Sequence, residues 1–77
     1  MVNQEKKDYR LILSGNLKKI RKDRKISQEY LANLAGLDRS YIGKVERCEK
    51  AATIDVIGKL ADALDVDVVD FFDEDLN

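Results

Sequence analysis

The 77-residue sequence predicts an all-α fold of five helices. Three observations lead there. Apolar residues recur at helical spacing, and nothing alternates with period two over a useful length, so no sheet is expected. The chain has no proline and is rich in good helix formers. Residues that cap helices well, Ser27, Asp38 and Thr53, stand just ahead of periodic stretches. The length suits one small domain spanning 1–77, with a core marginal enough for assembly to add stability.

Leu13, Leu17 and Ile20 share one helical face and predict a first helix from about residue 9 to 24. Asp8 and Asp23 are alternative caps, but periodicity decides the span. Residues 1–8 are polar and expected to fray unless they extend this helix. Gly15 costs roughly 1 kcal/mol relative to alanine and reads as a mark of close packing. The stretch "ISQEYLANLAG" predicts the second helix. Ser27 is its N-cap, Glu29 suits its first turn, and Ile26 and Leu31 form a hydrophobic staple. Gly36 ends it in the left-handed conformation. The third helix is expected from Asp38 to about Arg47, with Ile42 and Val45 buried. The fourth starts at Thr53, with Asp55 in its first turn and Ile54, Ile57, Leu60, Ala61 and Leu64 as its apolar face. A short fifth, "DVVDFFDE", begins at about Asp67. Its surroundings hold more apolar residues (Val66, Val68, Val69, Phe71, Phe72, Leu76) than one small core uses.

Composition excludes several functions. There is no histidine and only one cysteine, Cys48, so neither a Cys/His zinc site nor an internal disulfide is expected. No Gly-rich phosphate loop and no nucleophile with a neighbouring base is present, so no catalytic residues are assigned and an enzyme is not expected. No cofactor, metal or small-molecule ligand is evident. No apolar run approaches the roughly 20 residues that span a membrane. The start, "MVNQEKKDYR", lacks a signal peptide's apolar core, so a cytoplasmic protein is expected.

The net charge of −1 conceals a division. Residues 1–50 carry 13 Lys/Arg against 7 Asp/Glu, whereas residues 51–77 carry 1 against 8. Two readings fit: the solvated faces of ordinary helices, or a basic side aimed at phosphates with an acidic side turned away.

The second and third helices are joined by only about three residues, which is the helix-turn-helix layout. Ala32 is small where the two helices approach, Gly36 makes the turn, and Leu34, Leu37, Ile42 and Val45 point inward. Arg39, Ser40, Gly43, Lys44 and Arg47 are left facing outward. That stripe is either an ordinary wet face or a surface for a partner. Gly43 weakens the helix, and a close approach to that partner is its only account.

"ISQEYLANLAGLDRSYIGKVER" resembles the helix-turn-helix of the Cro/phage-repressor (XRE-type) superfamily, in Gln28, Ala32, Gly36, Ile42, Val45 and Glu46. "LADALDVDVVDFF" follows at the expected distance. "LDRSYIGKVER" also resembles the controller proteins of restriction–modification systems. The resemblance covers about residues 14–72 and implies a lambda-repressor-like bundle that binds double-stranded DNA. It implies base contacts from Arg39, Ser40 and Lys44, with Arg39 able to pair bidentately with guanine. It implies phosphate contacts from Gln28, Tyr41, Arg47 and Lys50. It also implies a structural salt bridge between Arg21 and Glu46; a phosphate contact is the other reading of Arg21. The sequence departs from the family where relatives place glycine after the third helix and Asn-Pro before the fourth. Cys48, Ala51 and Ala52 stand there instead. Cys48 is then either left-handed or on a helix that runs on by a turn.

The acidic, apolar end suits a homodimer, with residues 65–77 contributing and Val68, Val69, Phe71 and Phe72 as its interface residues. Closure of the monomer's own core is the alternative role for the phenylalanines. The expected function is a dimeric transcriptional regulator, a repressor or controller protein, on a two-fold-symmetric operator. The alternative is an antitoxin-like protein-interaction module using the same C-terminal helices.

Overall fold

Asp8 opens the first helix, α1 (Tyr9–Asp23), by accepting the Leu11 N–H at 3.2 Å. The computed structural model describes residues 6–75. After α1 come α2 (Gln28–Ala35), α3 (Tyr41–Glu46), α4 (Ile54–Leu64) and a 3-10 helix (Val68–Phe72). No strand occurs among the described residues. The expectation of fraying for residues 1–5, and that of surplus apolar character for Leu76, lie outside them.

The cap residues act largely as their chemistry dictates. Ser27 Oγ accepts from the Tyr30 N–H at 3.0 Å, and Thr53 Oγ1 from the Val56 N–H at 3.2 Å. Gly36 ends α2 at φ 70°, letting the Leu37 N–H return to the Ala32 carbonyl at 2.8 Å. Leu17, Leu31, Ile42, Leu60, Leu64 and Phe71 are fully buried, so every element contributes to one core. Burying each such side chain stabilises the fold by about 1.5–3 kcal/mol.

Several expectations need correction. There are four α-helices, not five: residues 68–72 form a 3-10 helix. The turn itself closes through the Asp70 N–H on the Asp67 carbonyl at 2.9 Å, an i to i−3 bond. Asn16 ties the end of this turn to α1: its buried amide donates to the carbonyls of Phe71 (2.8 Å) and Asp73 (2.9 Å). Helix α3 begins at Tyr41, not Asp38. Asp38 spends its carboxylate on the turn, accepting from the N–H and hydroxyl of Ser40, while the Tyr41 N–H bonds to its carbonyl at 2.9 Å. Gly15 is exposed, with nothing near where a side chain would project, so it marks no close packing. Leu34 and Ile54 are 48% and 71% exposed and belong to the surface. Phe71 is completely buried in the monomer's core, which removes it from any interface with another molecule.

Candidate nucleic-acid interface

The arrangement of α2 and α3 rests on one buried ionic network. Arg21 from α1 reaches Glu46 at the end of α3 with both Nε (2.7 Å) and Nη2 (3.0 Å). Its Nη1 donates to the Ile26 carbonyl at 2.8 Å, which ties the loop before α2 to the same group. Gln28, the first residue of α2, gives its Nε2–H to Glu46 at 2.9 Å. The Arg21 and Glu46 side chains are only 9% and 2% exposed. Three helices are therefore pinned by one carboxylate whose oxygens accept three donors, which is how a buried charge becomes tolerable.

Outside this network lie the side chains expected to face a partner. Arg39 and Ser40 sit in the turn before α3, and Lys44 sits within the helix; all three are exposed. Arg39 is 82% exposed, with Nε 3.2 Å from Glu29 Oε2. The bonds from Ser40 hold the Asp38 carboxyl below the usual carboxylate range. Tyr41 is half-buried, and the Lys50 ammonium stands 5.5 Å above its ring. Arg47 caps α3 and forms a two-pronged pair with Glu49, from Nε at 2.7 Å and Nη2 at 3.2 Å. This pairing lowers the Glu49 pKa and raises that of Arg47. Gln28 differs from its neighbours, because its amide is already engaged with Glu46.

Gly43 is buried and does not belong to the exposed stripe. A Cβ there would lie 2.8 Å from Arg47 Nη1 and 3.2 Å from Gln28 Oε1. The glycine thus makes room for two side chains of the protein itself, across the α2–α3 junction. Cys48 takes the left-handed alternative at φ 59°, with its sulfur 3.1 Å from Ser14 Oγ. The glutamate partners of Arg39 and Arg47 were missed by sequence reasoning. Glu49 carried a faint signal, two residues beyond Arg47; Glu29 was legible only as a first-turn acid.

The sequence pattern of the helix-turn-helix family matches residues 17–71. The chain belongs to this family, in its XRE-type form. Over 61 residues it is 43% identical to control protein C.SmaI of Serratia marcescens, a match covering 79% of this chain and 73% of the relative. The crystal structure of the restriction-modification controller protein C.AhdI from Aeromonas hydrophila superposes with a TM-score of 0.79 at 41% identity, covering 82% of this chain and 96% of that one. A hypothetical transcription factor, NHTF, from Neisseria superposes with a TM-score of 0.80 at 33% identity, covering 94% of this chain and 86% of the other. The family is one of DNA-binding transcription regulators, not enzymes. No helix among the described residues is long and apolar enough to cross a membrane.

Proposed function

We propose that this protein controls transcription of a restriction–modification system as a homodimer on a two-fold-symmetric operator. The observation that carries the reading is the basic turn and α3, held outward by the buried Arg21–Glu46 pair. The relatives described as controller proteins supply the restriction–modification context. In this reading Arg39, Ser40 and Lys44 contact base edges, while Gln28, Tyr41, Arg47 and Lys50 contact phosphates. Arg39 is the chief determinant of sequence preference.

Support for the dimer comes from apolar surface left over at the acidic end. Val69 and Tyr9 are 71% and 63% exposed. Phe72 and Val68 are half-buried, and Phe72 lines an apolar groove with Leu13, Ala52 and Ile57. Half-sites one DNA turn apart require the two copies of α3 to stand about 34–36 Å apart, and a two-fold axis through this end is the arrangement proposed to supply that spacing. The acidic residues then lie away from the phosphates.

Selection from random DNA duplexes tests the reading. A two-fold-symmetric consensus is expected, and absence of enrichment at moderate salt refutes it. Arg39→Ala is expected to relax preference at one position of each half-site; equal weakening on all sequences refutes its base-reading role. Sedimentation of wild type and Val69→Asp tests the dimer. Transcription of the host's restriction and modification genes, measured with and without the protein, tests the controller role.

A further inference from the structure

We propose that Glu29 and Glu49 set the DNA specificity of this protein by holding Arg39 and Arg47 neutralised until a matching site displaces them. The inference rests on the DNA reading above and goes beyond it, because it assigns a role to the two acids that pair with arginines on this basic surface, where the third, Asp38, is bonded to Ser40 instead.

The two arginines flank α3, one before it and one after it, and each faces a carboxylate. Arg39 pairs with Glu29 from α2 at 3.2 Å, and Arg47 pairs with Glu49 from the following loop at 2.7 Å. All four side chains are more than half exposed. Such pairs contribute little to folding, so stability does not explain them. Glu46 makes the contrast, being nearly inaccessible and bonded to two other elements. The Glu49 carboxylate occupies Nε and Nη2 of Arg47, while Nη1 lies over Gly43. One edge of the Arg47 fork is therefore already occupied in the free protein.

On arbitrary DNA, a phosphate competes with the carboxylate for the charge of the arginine. The released carboxylate is then left beside the negatively charged backbone. At a matching site, Arg39 exchanges Glu29 for the paired acceptors of a guanine edge, a gain that other sequences do not offer. Arg47 exchanges Glu49 for a phosphate fixed at one position by that docking. The carboxylates thus penalise the sequence-independent part of binding more than the specific part, which is specificity by discouraging the wrong partner.

The test uses the full chain and two duplexes of equal length, one selected and one scrambled, titrated by fluorescence anisotropy over a salt series. Glu29→Gln and Glu49→Gln are each expected to tighten binding to the scrambled duplex by about three- to tenfold. Each should also steepen its salt dependence by about 0.9 in the log–log slope, the value of one more neutralised phosphate. Binding to the selected duplex should change by less than about twofold, so discrimination falls. Asp23→Asn removes a carboxylate paired with Lys19, also in the basic half but touching neither arginine, and is expected to shift both duplexes alike. Equal shifts on both duplexes for the glutamate variants, or weaker binding to the scrambled one, overturn the proposal. Failure of the wild type to prefer any duplex overturns the DNA reading itself, and is visible without any variant.

Discussion

Replacing Glu46 with alanine strands the Arg21 guanidinium inside the domain. The two side chains are 2% and 9% exposed, so little water is available to take over from the lost carboxylate. Arg21 cannot swing out freely, because its Nη1 is bonded to the Ile26 carbonyl at 2.8 Å. Gln28 loses its acceptor at the same time. Removing one partner of a buried pair costs about 3–5 kcal/mol. A domain of this size has about 4–12 kcal/mol of stability in total, so Glu46→Ala should bring the protein close to unfolding. Urea denaturation followed by far-ultraviolet circular dichroism measures the loss directly. At about 4–8 °C per kcal/mol, the melting temperature should fall by at least about 12 °C. Combining Arg21→Met with Glu46→Leu should recover most of the loss, because neither residue then leaves a buried charge. A Glu46→Ala penalty below about 1 kcal/mol, the range of exposed pairs, would refute the reasoning.

Gly15→Ala should raise stability by about 1 kcal/mol in the same denaturation assay, since the site is open and helical. Gly43→Ala should lose much of that helix gain, because its Cβ presses on Arg47 and on the Gln28 amide held by Glu46; DNA titration should show weaker binding. Asn16→Ala leaves the Phe71 carbonyl without its buried donor, a loss of about 1–3 kcal/mol, and faster hydrogen exchange should appear in residues 68–72. Asp38 contributes stability through its lowered folded-state pKa. That contribution is complete above the ordinary value of 3.8 and disappears as pH falls through the lower folded value. Denaturation midpoints across this acid range should therefore fall less in Asp38→Ala than in the wild type.

Much of the fold was legible because local chemistry and tertiary packing agree. Ser27 and Thr53 are caps whichever core they serve, and Gly36 takes a conformation that few other residues reach cheaply. Leu13, Leu17 and Ile20 reveal a buried face through spacing alone. Legibility failed where a side chain had two local options. Asp38 is as good an acceptor for a turn as for a helix N-terminus, and it takes the turn. The periodic pattern likewise placed Ile54 inward, but at the first position of α4 it is 71% exposed. The residues of the candidate interface were visible as types, since basic residues in a short turn-and-helix stand out; their partners were not.

By itself the sequence determined the helical class, the α2–turn–α3 unit and the division between a basic and an acidic half. Each follows from neighbours along the chain: caps, left-handed glycine, helical spacing and local charge. Only the tertiary structure decided that Phe71 closes the core while Phe72 remains partly open, and that residues 68–72 stop at a 3-10 helix. The reason is physical distance without sequence proximity. Asn16 reaches residues 55 and 57 positions away, and Glu29 meets Arg39 from another element. Gly43 shows the same division: its cost to the helix is readable from its type, but the side chains that fill its space are brought there by the fold.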